Sequence, residues 1–176
     1  MSEENIVIAE TIAAIKAESD KPVPVEKTVK ITEENKEAFF KAFLSDTPYI
    51  EKIPLFNGKS NAVFKTLNIE ENDVVFKQIQ FDQAKGIARS DDSYLIKIIQ
   101  YRLSGCLVSV DDVLFCEDIT VANHVPNKED GTTYLSERMK VTQKWHTFKL
   151  GGITEAFNMF EAKVRELTKE IFKESF

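Results

Sequence analysis

The sequence predicts an α+β fold, mostly helical, with about five helices and one or two small antiparallel β-hairpins. Three observations carry this reading. Apolar residues recur at spacings of three and four in several separate stretches, as on one face of a helix. Residues suited to helix N-termini stand just before those stretches. Asn57-Gly58 lies between two apolar runs, and Asn-Gly is a strong short-range mark of a hairpin because both residues accept positive φ.

Residues 1–31 differ from the rest. Asn5 to Glu18 is rich in Ala and Ile and reads as a short helix, which Pro22 and Pro24 break because proline lacks an amide hydrogen and restricts its predecessor. The expectation is a mobile arm with an extended, Pro-containing linker, followed by a single domain over residues 32–176. A helix docked on that domain is the alternative.

Thr32 is a candidate N-cap, with Glu33 and Glu34 in the first turn, where negative charge suits the helix dipole. Phe39, Phe40, Phe43 and Leu44 follow at helical spacing, and Ser45-Asp46-Thr47-Pro48 ends the helix. Ile53 to Phe56 and Lys59 to Phe64 form the two arms of the hairpin, with Pro54 placing the first arm at a sheet edge. Asn68 caps the next helix, with Glu71 completing a capping box. That helix presents Val74, Val75, Ile79 and Phe81 and ends near Gly86.

A further helix starts at Ser90 or Asp91. Tyr94, Leu95, Ile98, Ile99, Arg102 and Leu103 give it helical periodicity and a high apolar content, so it is expected to be the most buried. Leu107 to Phe115, with Asp111-Asp112 in its middle, reads as a second, smaller hairpin. Glu117 to Gly131 is irregular and polar. Thr132 or Thr133 opens a helix to about Trp145, and Gly151-Gly152 reads as a break or tight turn. The last helix runs from about Ile153 towards Phe176. Its stripe of Ile153, Phe157, Phe160, Val164, Leu167 and Ile171 is heptad-like. Packing on the protein's own core and a face for a partner or second copy both fit the stripe. Met159 and Phe172 widen it, which favours packing.

Composition bounds function. The net charge of −6 and pI of about 5.1 argue against nucleic acid and anionic membranes, since both need clustered Lys and Arg. No stretch of spanning length is free of charge, and the acidic Met1-Ser2-Glu3-Glu4 is unlike a signal peptide. The expected location is the compartment of synthesis, where Cys106 and Cys116 stay reduced. Thirteen Phe against one Trp point first to a Phe-built core and second to adhesive contact surfaces.

Catalytic signatures fail one by one. Asn57-Gly58-Lys59-Ser60 ends like a phosphate-binding loop, but Ile53 stands where the first glycine is required. His124 and His146 lie far apart, and with Cys106 and Cys116 they lack the close ligand pairs of a metal site. His146 beside a helix end reads as a cap or packing residue. Asp91-Asp92 reads as a helix start and Asp111-Asp112 as a turn. The expectation is a non-enzymatic protein with no cofactor and no metal.

Phe39-Phe40-Lys41-Ala42-Phe43-Leu44-Ser45-Asp46 leads to Ile53-Pro54-Leu55-Phe56-Asn57-Gly58-Lys59, then Val63-Phe64-Lys65-Thr66-Leu67 and Ile69-Glu70-Glu71. This order resembles phage tail assembly chaperones and the related baseplate hub assembly proteins of contractile-tailed phages, over roughly residues 32 to 170. Lys65 stands where that pattern commonly has arginine. The resemblance implies a chaperone in the bacterial cytoplasm that binds the tape-measure protein, keeps its apolar helices soluble and is absent from the finished virion. A structural baseplate or hub subunit in the virion tail is the alternative, and a homo-oligomer is compatible with either. The candidate partner-binding residues are Phe39, Phe40 and Phe43, or the face of Phe157, Phe160, Val164, Leu167 and Ile171.

Overall fold

A computed structural model describes residues 31–120, 122 and 131–174. The expected arm therefore lies outside the described residues except for Ile31, which packs against the core. His124 and most of the polar loop before Gly131 also lie outside them. The elements are α1 (Glu33–Leu44), β1 (Ile50–Leu55), a 3-10 turn (Phe56–Gly58), β2 (Ser60–Lys65), α2 (Ile69–Ala84), α3 (Asp91–Cys106), β3 (Leu107–Val110), β4 (Val113–Leu114), α4 (Tyr134–Thr142) and α5 (Thr147–Glu174). This is the expected α+β fold, mostly helical.

The helix starts follow from side chains that satisfy amides left without intrahelical partners. Thr32, Asn68, Ser90 and Thr133 are the N-caps of α1 to α4, each in a reciprocal capping box with Asn35, Glu71, Ser93 and Ser136 respectively. Gly86, at φ +70°, closes α2: Ile87 N–H reaches back to the Asp82 carbonyl at 2.8 Å and Gly86 N–H to Gln83 at 2.9 Å. α4 ends at Thr142, short of Trp145, because Lys144 and Trp145 donate to residues three back and tighten the chain out of the α-helical pattern.

The two expected hairpins are parts of one antiparallel sheet in the order β1-β2-β3-β4, with α2 and α3 inserted between β2 and β3. β1 is an edge strand, which explains how Pro54 is tolerated. Its connection to β2 is longer than a two-residue turn. Leu55 pairs with Ser60, and Phe56, Asn57 and Gly58 all take left-handed φ, at 49°, 58° and 82°. A left-handed Phe costs roughly 1–2 kcal/mol. At the other end, Asp111 and Asp112 form the tight turn of β3–β4, also with positive φ. The Asp111 carboxylate accepts from Ser60 Oγ and from Asn61 N–H at 2.9 Å. Those bonds hold its carboxyl below the usual range, the backbone bond contributing most.

One sheet face carries Ile53, Leu55, Ala62 and Phe64, which pack with Phe157, Phe160 and Leu167 of α5. A second cluster, with Val75, Ile79, Tyr101, Leu135 and Met139, joins α2, α3 and α4. Leu67, between β2 and α2, packs against both clusters. The buried Arg138 of α4 ties the parts together. Its guanidinium donates to the carbonyls of Ser104 (2.7 Å), Leu107 (2.6 Å), Cys116 (2.9 Å) and Ile119 (3.3 Å) and lies 4.7 Å from the Phe115 ring.

Two expectations are corrected. Gly151-Gly152 is no break: both lie inside α5, which starts at Thr147. Gly152 suits the packing, since a Cβ there would stand 2.6 Å from the Phe56 ring, which would have to shift. α3 is not the most buried helix. Tyr101, Leu103 and Cys106 are buried at its end, but Leu95, Ile96 and Ile99 are exposed, because its neighbours α2 and α4 cover the other side.

Candidate protein-binding face

α1 has no buried residue, although its sequence carries three phenylalanines. One stripe of the helix holds it to the body. Phe39 meets Tyr49 edge to face at 5.2 Å, and Tyr49 stacks on Phe160 of α5 at 6.3 Å. The Tyr49 hydroxyl donates to Glu51 Oε2 at 2.8 Å, and the other Glu51 oxygen pairs with Lys163 of α5. That pair has side chains only 10% and 13% exposed, so removing one partner would strand a nearly buried charge. Burial, and then the Glu51 carboxylate, push the Tyr49 phenol above its ordinary range. The ion pair of Lys36 with Glu170 is more exposed, at 3.3 Å, and contributes little.

Beyond this contact α1 is open to solvent, with Phe43 one turn along from Phe39 on the same side. Phe40 is 47% exposed, Phe43 58% and Leu44 67%. Apolar groups at i, i+3 and i+4 make one continuous patch on a helix. The helix ends where Asp46 takes φ 51° and Thr47 N–H bonds the Ala42 carbonyl at 3.1 Å, with Pro48 after it. This turn brings the end of α1 beside the start of α2. Between them lies an open groove of about 530 Å³. Phe39, Ala42, Phe43, Leu67 and Val164 form its apolar surface, Ile69 stands at its margin 84% exposed, and Asp46 and Glu70 supply its charges.

The candidate residues of the sequence thus divide. Phe157, Phe160 and Leu167 are inside the core: Phe157 lies 5.8 Å and Phe160 5.6 Å from Phe64. Phe157 and Phe160 are enclosed in this fold, and Leu167, 1% exposed, shows only an edge. Phe39, Phe43 and Val164 come together in the groove, and Phe39, Phe40, Leu167 and Ile171 line a neighbouring hollow of about 210 Å³. Phe40 and Phe43 remain as the exposed pair. The sequence alone does not mark Ile69, Leu67, Asp46 or Glu70 as site residues. The Asn68 cap was the available signal, because it puts Ile69 at the first helical position, where the body does not cover it.

The residues read as poor catalytic candidates sit in structural roles. His146 Nδ1 accepts from Phe148 N–H at 3.3 Å at the start of α5. Asp91 and Asp92 occupy the first turn of α3. Cys106 and Cys116 are free thiols, and burial pushes the Cys106 thiol up to about 12. Among the described residues, no three His, Cys, Asp or Glu side chains gather as a metal site, and no helix is long and apolar enough to cross a membrane. Other exposed apolar groups include Leu95, Ile96 and Ile99 on α3 and Phe148 at 80%. Phe148 borders an open hollow of about 830 Å³ with Phe56, Met159 and Glu155, and Ile96 and Ile99 line one of about 210 Å³; the groove at α1 is set apart by gathering the sequence candidates Phe39, Phe43 and Val164. Set against family models, curated proteins and solved structures, the chain matches none of them.

Proposed function

We propose that this chain is a non-enzymatic protein-binding module that shelters an apolar helix of a client, in the manner of the phage tail assembly chaperones its sequence resembles. The observation that carries the reading is the exposure of Phe40, Phe43 and Leu44 on a helix that borders an apolar groove. Helix-in-groove recognition uses such a surface, with client anchors at i, i+3, i+4 and i+7. The net charge of −6 keeps a protein with this much exposed Phe in solution. On this reading the client is the tape-measure protein and the setting is the bacterial cytoplasm during tail assembly.

Co-expression with the tape-measure protein tests it. The expected result is a soluble client that co-purifies with the wild-type chain and is lost with Phe40→Ser/Phe43→Ser. A client that stays insoluble, or one held equally by the double variant, would overturn the assignment. Recovery of the chain at fixed copy number in purified particles would identify a structural subunit instead.

A further inference from the structure

We infer that the groove between α1 and α2 takes an amphipathic helix whose apolar stripe is flanked by Lys or Arg, and that its acidic margin selects this helix over an acidic-flanked one of equal hydrophobicity. The inference rests on the reading of this face as a client site and adds the charge of the client.

The groove is lined by two carboxylates, Asp46 and Glu70, and by no Lys or Arg. Both acids belong to exposed residues and make no ion pair among the described residues. The neighbouring cation Lys65 is committed to Glu71, and Lys41, in the last turn of α1, is outside the lining. Two helix ends also face the groove, with opposite dipole signs. The C-terminal end of α1 adds negative potential beside Asp46. The N-terminal end of α2 adds positive potential, which Glu70 and Glu71 in its first turn offset. The formal charges at the mouth are therefore acidic, about an apolar floor. A helix that buries its stripe on Phe39, Phe43 and Val164 carries its flanking side chains over Asp46 and Glu70. Basic flanks gain there and acidic flanks are repelled. Both carboxylates are solvent-exposed, so the preference weakens as salt shortens the screening length to about 10 Å or less.

The test uses the full chain and two synthetic helical peptides that share one Leu stripe, one flanked by Lys and one by Glu. Binding is followed by fluorescence anisotropy at low and high salt. The expected result is about tenfold tighter binding of the Lys peptide at low salt, shrinking at high salt. In Asp46→Asn/Glu70→Gln the advantage should fall to about twofold or less. Asn tolerates the left-handed backbone at position 46, so this variant keeps the turn. Equal binding of both peptides, lost in Phe43→Ser, would overturn the charge preference and leave the client site standing. A Lys preference unchanged by Asp46→Asn/Glu70→Gln would also overturn it, by assigning the preference to net charge elsewhere. Failure of both peptides to bind folded protein would sink the client site and this inference with it.

Discussion

The ring of Phe56 occupies the space that a side chain at Gly152 would need: a Cβ there would stand 2.6 Å from two of its ring carbons. Gly151, next in the chain, meets nothing within 4 Å, and neither glycine has a positive φ. Replacing a helical Gly by Ala is worth about 1 kcal/mol where space allows. Gly151→Ala should therefore stabilise by about that amount. Gly152→Ala should fall short of it by about 1 kcal/mol or more, since the ring must swing away. Urea unfolding of a double-mutant cycle with Phe56→Ala checks the contact. Equal effects of Gly152→Ala with and without Phe56 would exclude it.

Two phenylalanines of the same sequence reading should part company. Phe160 is 1% exposed between Phe64 and Tyr49. Phe160→Ala should cost about 3–5 kcal/mol. Phe43, 58% exposed, should change stability by no more than about 0.5 kcal/mol on mutation to Ser, while abolishing client binding. Thermal melts and a client pull-down on the two variants measure both. A strongly destabilised Phe43→Ser would show that α1 is held by more than its Phe39 side.

Arg138 should be irreplaceable by either an unbranched apolar chain or a compact cation. It satisfies four carbonyls at once from a position 7% exposed, and burial lowers its pKa. Arg138→Met leaves those acceptors without their donor, and Arg138→Lys offers three donors from one point in place of a planar fork. Losses of about 3 kcal/mol or more for Met, and nearly as much for Lys, are expected in denaturant titration. A neutral Arg138→Lys would mean that charge alone suffices there.

Alkaline pH should unfold this protein earlier than its carboxylates would suggest. Burial pushes up the phenols of Tyr49, Tyr101 and Tyr134 and lifts the Cys106 thiol from 9.0 to about 12. In the unfolded chain these groups lose their protons at ordinary values, so above about pH 9 the unfolded state binds fewer protons than the native state. Stability from these groups is complete below that pH and is lost as pH rises through the folded values. The unfolding free energy should fall above about pH 9, by up to about 1.4 kcal/mol per pH unit for each group engaged. Tyr49→Phe should shallow the decline. A free energy level to pH 11 would refute the account.

Local signals in the sequence were legible where one or two residues decide the geometry. Thr32, Asn68 and the Ser90 and Thr133 alternatives sit at observed caps, Pro54 at an edge strand, and Asp111-Asp112 in a tight turn. What depends on distant packing was not. Gly151-Gly152 reads as a break until the Phe56 ring, contributed from almost a hundred residues earlier, is set against it. The α3 pattern reads as burial, but periodicity shows only that a helix has an apolar side and not whether anything covers it. For the same reason the α5 stripe favours packing on the core without excluding a partner, and the groove needs the turn at Asp46 to bring α1 and α2 together.

β2 and β3 lie side by side, with Phe64 opposite Leu107, yet α2 and α3 stand between them in the chain. The helical pair is an excursion that leaves the sheet and returns to the adjacent rung. Its tip, the bend at Lys85 to Arg89, exposes Lys85, Ile87 and Arg89, buries Ala88 and takes part in no strand pairing. Residues added or removed at that tip change the reach of the excursion without shifting the sheet's register. An insertion beside the exposed Lys85 should therefore leave the sheet intact.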